Sequence, residues 1–488
     1  MEKLLKLYII IGVFSIMGIT SCSDDEGFSS SSLNTLSFSV DTLSLDTTFS
    51  NVPTITKSFW VYNLSDKGIR CSSIALESGN QMGFRVNVDG MYLGQASGYQ
   101  CQDVEIRKGD SIRVFVELTS SAQNVNVPRL VEDNLIFHLE NGIQQKVNLN
   151  AYSWDAVFMK DVVIPQGKDS VWSVSKPIVV YGGVKVDSAA VLHVKAGTTL
   201  FFHEDAILNV YGTLKLEGDV ENEIVLRGDR LGRMFDNLPY DRTPGRWQGI
   251  HFWPSSYGNE ITSANIHGAY NAIVVDSCDL KRDKLYLNKS VIHNNQGDGI
   301  HVEYAKLKIE NCQLTNALGH CLYVCGGDVD LNQCTVAQFY PFDSNRGSAV
   351  FFMAPLKNLS VKNSVITGYA GDEVAWTPIE GKNMNFAFDH SVLRTERMMT
   401  EDSLKFTHVL YENLADTVQF GEKHFQTIDT KNMYYDFHLA KKSAAIGLAN
   451  PQTALPSDRN GIKRNEDAPD AGCYQNLFHV GVNKVKRH

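Results

Sequence analysis

The chain has 488 residues and a formal net charge of −10, from 45 lysines and arginines against 55 aspartates and glutamates. An acidic chain with no basic block is unlike proteins that bind nucleic acid by neutralising phosphates, so we exclude that class of partner. The hydrophobic content of 43% with 20% charged residues is typical of a folded globular protein and excludes a disordered one.

The N-terminus predicts a signal peptide over residues 1–21. Lys3 and Lys6 precede an almost unbroken apolar run over residues 7–19, which is short for a membrane span. The run ends in Ile-Thr-Ser directly before Cys22. This ending resembles the lipobox of bacterial lipoproteins, which implies that Cys22 is diacylated and becomes the new N-terminus. The alternative is an ordinary signal peptide followed by a chance cysteine.

Residues 22–33 predict a tether between the anchor and the first domain. An acidic run at residues 23–26 is followed by four serines at 29–32, a polar and flexible composition. The acidic run resembles the surface-export signal of Bacteroidota lipoproteins, which implies a lipid-anchored protein on the cell-surface side of the outer membrane. The alternative is a solvated acidic linker. No later segment has 18 consecutive apolar residues.

Residues 34–155 predict an Ig-like β-sandwich that serves as a spacer rather than as a binding site. Runs of alternating apolar and polar residues are separated by turn residues, which is typical of antiparallel sheets. Cys71 and Cys101 fall inside this domain, and an exported protein can form disulfides, so these two cysteines are a candidate pair.

From residue 170 the sequence repeats short β-runs at steps of 22 to 30 residues, without a helical period. Two registers drift together along the chain, which predicts a parallel β-helix over residues 170–445 with coils about 4.8 Å apart. In the first register, alternation points a small residue and the aliphatic residue two positions later inwards. The small column includes Ser290, Cys312 and Cys334. We expect the cysteines to be buried rather than to ligate metal, and no metal site is predicted.

Several phrases of this region resemble the right-handed β-helix lipoproteins of the Bacteroidota, in the pectate-lyase-like superfamily. The phrases are residues 196–202 (AGTTLFF), 211–214 (YGTL), 222–226 (NEIVL) and 247–252 (WQGIHF), with 443–447 (SAAIG), 458–461 (DRNG) and 469–474 (PDAGCY) near the end. The resemblance implies an all-β fold in which residues 446–488 form a closing motif and tail. It implies little about function, because most members have no assigned activity.

The second register predicts a column of outward side chains on one face of the β-helix. Aromatic and histidine side chains in such a column can contact sugar rings; the alternative is that they stabilise the sheet or lie under a loop. The ligand-binding candidates are His251, Trp253, His301, Tyr323 and Phe351.

For catalysis, Asp276 and Glu303 are the candidate residues. They fall on adjacent coils in one column, so strand spacing predicts carboxylates about 5 Å apart, which suits a retaining pair or a pair that shares a proton. Two further pairs, Asp298 with His320 and His267 with His293, also fall on adjacent coils. The calcium-binding carboxylates and the basic proton abstractor expected of a lyase do not accompany them.

Two charged segments are predicted to be structural. Residues 279–284 are expected to form a solvated turn. The insertion at residues 228–246 is expected to fold over the sheet with its charges paired internally; the alternative is that Arg233, Arg242 and Arg246 contact an acidic glycan.

The sequence therefore predicts a surface lipoprotein with a non-enzymatic binding or scaffold role, most plausibly towards glycans. One alternative is a polysaccharide lyase or glycoside hydrolase that acts on the same face, and another is a structural component of an envelope protein assembly. The predicted partners are the membrane through the lipid, a polysaccharide and an envelope protein. No cofactor motif is present.

Overall fold

The computed structural model describes residues 27–477 except 174, 398, 400 and 417. The predicted signal peptide, the lipidation site Cys22, the acidic run and the C-terminal tail after residue 477 lie outside the described residues. The described chain forms two compact units, residues 27–123 with 128–153, and residues 124–127 with 154–477. Within them, no helix is long and apolar enough to cross a membrane.

The first unit is the predicted β-sandwich. Its strands are antiparallel and alternate buried and exposed side chains, as in Ser111–Leu118. One five-stranded sheet has the order Ser37–Phe38, Lys57–Tyr62, Ser111–Leu118, Phe84–Val88 and Met91–Tyr92. The other has the order Thr42–Phe49, Gln144–Trp154, Arg129–Leu139, Ile69–Leu76 and Gln100–Ile106.

The candidate disulfide of this unit is not formed: Cys71 and Cys101 are both free, and both are buried. The two cysteines lie on neighbouring strands, but the register places Cys71 opposite Val104 and Cys101 opposite Ile74. Burial raises the pKa of the Cys71 thiol to about 12, with a further contribution from Cys101, so the neutral thiol is favoured.

The second unit is a β-solenoid of parallel strands, which begins at Val157–Ile164 and ends at Leu410–Tyr411. It begins earlier than the predicted residue 170, because Val157–Ile164 already pairs in parallel with Ile178–Val186. It also ends before residue 445, since Phe425–Asp429 and Tyr434–Leu439 form an antiparallel hairpin instead.

The solenoid has three faces, and five long strands turn a corner and contribute to two of them. The long strands are Val157–Ile164, Ile178–Val186, Ile300–Glu310, Leu322–Asn332 and Val350–Lys362. Face 1 continues through Thr199–Phe202, Ile224–Gly228, Ala264–His267, Val291–Asn295, Gln313–Ala317, Thr335–Gln338, Val365–Gly368, Val392–Leu393 and Leu410–Tyr411. Face 2 continues through Ile207–Val210, Gly249–Phe252, Ile273–Val275 and Val374–Thr377. Face 3 contains Asp169–Trp172, Val191–Lys195, Thr213–Glu217, Asn259–Thr262, Leu285–Asn288, Met384–Asp389 and Phe406–Thr407.

The first repeat register forms the inward column of face 1. Its small residues are fully buried, and so are the aliphatic residues two positions later, as predicted: Ser290, Cys312, Cys334, Ser364 and Ser391 with Ile292, Leu314, Val336, Ile366 and Leu393. The serines satisfy buried backbone groups between coils. Ser364 Oγ accepts from the Cys334 N–H at 3.1 Å, and Ser391 Oγ accepts from the Ser364 N–H at 3.0 Å. A small polar residue therefore fits where the chain turns into the core.

The corner between faces 3 and 1 requires a left-handed backbone conformation. Seven successive coils place a residue with φ between 45° and 52° there: Ser263, Lys289, Asn311, Gln333, Asn363, His390 and His408. Asparagine and histidine are enriched among non-glycine residues with positive φ. Each of these residues also donates its backbone N–H to the next coil where one follows, for example from His390 to the Thr407 carbonyl at 3.1 Å.

The predicted closing motif packs across the outside of face 1. The Cys473 N–H donates to Thr335 Oγ1 at 3.1 Å, and the Tyr474 hydroxyl donates to Gln313 Oε1 at 2.8 Å. Buried apolar residues of the C-terminal hairpin join the outward residues of face 1 in one cluster, which includes Phe339 and Phe437. The motif thus covers a side of the solenoid.

The remaining elements are short. They are the hairpin of Arg233–Phe235 and Leu238–Pro239 and the 3-10 helices Gln95–Ser97, Tyr240–Arg242, Glu401–Lys405 and Gly421–His424.

Candidate functional site

The second repeat register forms an outward column on face 2, as predicted. Parallel pairing aligns His251 with Val274, Val274 with His301, His301 with Tyr323, and Tyr323 with Phe351. All five side chains are half-buried. The residues two positions further along the same strands lie beside them, so Trp253, Asp276 and Glu303 belong to the same surface.

The aromatic rings of this surface form two stacked groups, which we call the aromatic strip: Tyr211, Trp253 and His251, then His301, Tyr323 and Phe351. In the second group the ring centroids of His301 and Tyr323 are 4.4 Å apart at 13°, and those of Tyr323 and Phe351 are 5.4 Å apart at 14°. In the first group, Trp253 stacks on Tyr211 at 5.0 Å and on His251 at 4.2 Å.

The stacking decides which parts of the rings a ligand can reach. Nearly parallel rings at these distances cover one another's faces, so the strip leaves mainly ring edges for a ligand. This supports the alternative that the column stabilises the sheet. The ring nitrogens of His301 and the Nε1 of Trp253 already have partners within the protein, so hydrogen bonds to a ligand's hydroxyl groups would come mainly from the carboxylates beside the rings.

The strip is interrupted at Val274. This short aliphatic side chain lies in the column between two histidines, and two coil steps separate His251 from His301 by about 10 Å. Tyr323 covers one face of His301, and the opposite face looks towards Val274. The result is a step, which we call the Val274 step, with an imidazole group on each side.

Carboxylates line this step, but each has an imidazole partner of its own. Asp276 Oδ1 lies 3.0 Å from His251 Nε2, and Glu303 Oε1 lies 3.0 Å from His301 Nε2. Asp298 Oδ2 accepts from the second ring nitrogen of His301 at 2.7 Å. The predicted adjacent coils of Asp276 and Glu303 are confirmed by the strand pairing. Because each carboxylate contacts its own histidine, the two do not form the proton-sharing pair that was one of the predicted arrangements.

His301 is therefore held between two carboxylates. Burial alone lowers its pKa, but the hydrogen bonds that the ring donates to Asp298 and Glu303 outweigh burial and raise the pKa above the ordinary value. The neighbouring His320 behaves differently: burial lowers its pKa, although its backbone N–H donates to Asp298 Oδ1 at 2.7 Å. Cys325, opposite Glu303 on the next coil, has its pKa raised to about 11 by burial and by that carboxylate.

Lys284 is a residue of the site region that the sequence did not identify. It was expected in a solvated turn, but its side chain is fully buried and its Nζ donates to the Trp253 carbonyl at 2.6 Å. Burial lowers its pKa to about 8. The lysine thus stabilises the backbone that carries Trp253. In the sequence, the only signal for it is its position at the end of a charged run.

The insertion at residues 228–246 is anchored by internal contacts, as expected. Asp241 pairs with Arg227 and, at 2.8 Å, with His267 Nε2, and these partners hold the pKa of Asp241 well below its ordinary range despite burial. His267 and His293 stack at 4.6 Å, so this predicted pair is in contact. The three candidate arginines bind within the protein: Arg233 to the Asp236 carbonyl, Arg242 to the Asn432 carbonyl and Arg246 to Thr243 Oγ1.

Two further features lie near the C-terminal segment. A hydrogen-bonded series of Ser443, His424 and Glu412 resembles a hydrolytic triad, but the His424 and Glu412 side chains are fully buried, so a substrate has no access. A cleft of about 590 Å³ lies under the C-terminal hairpin and includes Tyr434, Tyr435 and His438 in its lining. Both ring nitrogens of His438 are engaged, by Asp436 and by Asn460.

Comparison with known proteins bears on the solenoid. Residues 248–366 match the family model described as the right handed beta helix region. The chain is a parallel β-helix protein. No curated protein matches it. The solved structures similar to parts of the chain include the ASH/PapD-like domain of human CEP192 (PapD-like domain 7), at 8% identity and a TM-score of 0.17 over 28% of this chain and 96% of that domain.

A second similar structure is a family 123 glycoside hydrolase from Clostridium perfringens that hydrolyses glycolipid glycans. It is 6% identical, with a TM-score of 0.17, over 26% of this chain and 30% of that one. Likenesses at this TM-score carry no argument about the function of the β-helix protein.

Proposed function

We propose that this parallel β-helix protein is a surface lipoprotein of the Bacteroidota type, and that it binds glycans at the Val274 step of face 2. The main support for this proposal is the step itself, where two imidazole–carboxylate groups face each other across a short aliphatic residue. The anchor and the location rest on the lipobox resemblance at Cys22 and on the acidic run after it.

The geometry supports binding by edge contacts. A sugar ring in the step would place its C–H face against the open face of His301 and its hydroxyls near Asp276 and Glu303. Carboxylates are strong acceptors of hydroxyl hydrogen bonds, and these two are only half-buried, so a ligand can reach them without displacing the core.

The charge of the surface selects among glycans. Asp276, Asp298 and Glu303 are acidic, whereas the outward Lys185 lies beside Tyr211 at one end of the strip and pairs with Asp187 at 3.3 Å. Three carboxylates share two imidazoles at the step, so a polyuronate would meet an excess of acidic groups there. We therefore propose a neutral or amino-sugar glycan as the ligand, which distinguishes this reading from a lyase acting on acidic chains.

The runner-up is a glycoside hydrolase at the same step. The observation in its favour is His301 between Asp298 and Glu303, because a partly exposed imidazole with raised pKa can donate a proton. A role in an envelope assembly remains a third candidate.

A glycan array with the chain lacking residues 1–22, followed by mass spectrometry of every bound glycan, tests these proposals. We expect binding of neutral or amino-sugar glycans without shortened products. Val274→Trp fills the step and should weaken binding at least tenfold, and Glu303→Gln should weaken it as well. Tyr286→Phe, on an outward tyrosine of face 3, is the matched control and should bind normally.

The other outcomes are equally informative. Shortened products that disappear in Asp276→Ala or Glu303→Ala would establish the enzyme. Glycan binding that survives Val274→Trp would place the site elsewhere on the molecule. If no glycan on the array binds, both glycan proposals are contradicted, and a protein partner is left as the ligand of this face.

A further inference from the structure

The C-terminal end of the solenoid carries a group of potential metal ligands away from face 2. Asp389, His390 and His408 each offer one ligand atom, and these atoms lie within 4.8 Å of one another. His390 and His408 occupy the left-handed corner position on successive coils, and Asp389 is the last residue of the face 3 strand before that corner. We propose that these three residues bind a zinc-type divalent transition-metal ion.

The distances fit ligation. Asp389 Oδ1 lies 2.9 Å from His390 Nδ1 and 3.2 Å from His408 Nδ1. In a tetrahedral zinc site with bonds of about 2.0–2.1 Å, neighbouring ligand atoms lie about 3.3 Å apart. Small movements would therefore bring the three atoms onto one ion. Two imidazoles and one carboxylate are a common donor set for zinc, and they leave a fourth position for water.

His390 supplies an independent observation. Its Nδ1 atom is buried and forms no aligned hydrogen bond, although the Asp389 carboxylate lies beside it. Buried polar atoms normally have a partner, so a close approach without hydrogen-bond alignment is better explained by a shared ligand. Thr407 Oγ1 donates to Asp389 Oδ1 at 2.8 Å, which orients the carboxylate as supporting residues do around metal ligands.

The position indicates what the ion would do. The last strands of the solenoid, Phe406–Thr407 and Leu410–Tyr411, are only two residues long and provide few ladder hydrogen bonds. An ion held by His390 and His408 would join the last corner to the preceding one. The inferred site is therefore structural: it would fasten the final coil, independently of the glycan proposal.

The test uses the mature full-length chain after chelation and dialysis, with Zn²⁺ as the probe. We expect isothermal titration to give saturable binding of one ion, and the melting temperature to rise by at least about 2 °C at a hundredfold excess over the dissociation constant. His390→Asn and His408→Asn should each reduce affinity at least tenfold. Asparagine suits the left-handed corner, as Asn363 does on the preceding coil, so the backbone is preserved.

His203→Asn is the matched control, because His203 lies 2.8 Å from a single carboxylate, Asp229, elsewhere on the solenoid and has no second histidine beside it in the described residues. It should bind zinc like the wild type. The proposal is overturned if wild-type protein shows no saturable zinc binding, or if His390→Asn and His408→Asn bind as tightly as the wild type. His408 has a side chain 69% exposed, so loss of folding would not account for loss of binding in that variant.

Discussion

At the scale of single residues, His301 makes the protein sensitive to pH. Its two ring nitrogens contact Asp298 and Glu303, and the raised pKa means that the folded protein favours the imidazolium form. A histidine whose pKa is higher in the folded than in the unfolded state stabilises the fold fully below the unfolded value of about 6.5. That contribution is lost as the pH rises through the folded pKa.

We therefore expect His301→Gln to lower the melting temperature more at pH 5.5 than at pH 8.5. Circular dichroism melts of wild type and variant at both pH values measure this difference. Tyr286→Phe on face 3 removes no imidazole, so its effect on the melting temperature should be the same at both pH values, and it serves as the reference. A difference between wild type and His301→Gln that stays constant over this range would contradict the assignment.

Predictions for single residues were confirmed where the alternation of side chains along a strand is enough to tell which way a side chain points. Cys312 and Cys334 are buried because they share a strand face with Leu314 and Val336, which the period of two reveals. The partners of Asp276 and Glu303 were not predictable in this way. Asp276 contacts a histidine on the neighbouring coil and Glu303 one two positions away on its own strand; both positions are within reach of a side chain, and only the rotamers decide which is contacted.

At the scale of elements, the closing segment depends on close contact with face 1. Gly472 has a φ of +93°, and a Cβ atom there would lie 2.9 Å from Thr335 Oγ1 and 3.2 Å from Val365 Cγ2. Its N–H donates to the Asn363 carbonyl at 2.8 Å. The segment can pack this closely only because the residue lacks a side chain.

Gly472→Ala should lower the free energy of unfolding by about 1–3 kcal/mol, from overpacking added to backbone strain. Urea denaturation measures the loss. Gly461→Ala is the matched control, since its φ is also positive, at +77°, but the nearest atom to an added Cβ is 3.7 Å away. Equal losses in the two variants would show that the contact with Thr335 and Val365 contributes nothing.

The element that covers face 1 was recognised as a closing motif, but its place was not predictable from its residues. Residues 443–476 consist of turns and bends without a hydrophobic period, so nothing in their pattern says which surface they cover. The same holds for His390 and His408. They are 18 residues apart (408 − 390), fewer than the 22 to 30 residues of the repeat, and only the observed corner conformation places them on successive coils.

At the scale of the whole molecule, the repeat made the solenoid predictable. A parallel coil buries the same side-chain positions at every turn, so the two repeat registers appear directly as face 1 and face 2. The limits of the solenoid were less visible, because its first strand, Val157–Ile164, precedes the recognisable repeats.

The proposed anchor predicts a cellular location for the whole molecule, which can be tested with intact cells. A lipid on Cys22 would retain the chain at a membrane and leave the folded part accessible from outside, although the predicted tether is short, because Phe28 already pairs with Gly68 of the first unit. Protease treatment of intact cells should therefore remove most of the wild-type protein. Replacing Asp24, Asp25 and Glu26 with alanine should leave the protein membrane-bound but protected from the protease, because the acidic run is the proposed export signal.

The lipid anchor has its own test: Cys22→Ala should no longer incorporate labelled fatty acid. Wild-type protein that is digested only after the outer membrane is permeabilised would contradict the surface location, whereas lipid labelling would separately establish the anchor.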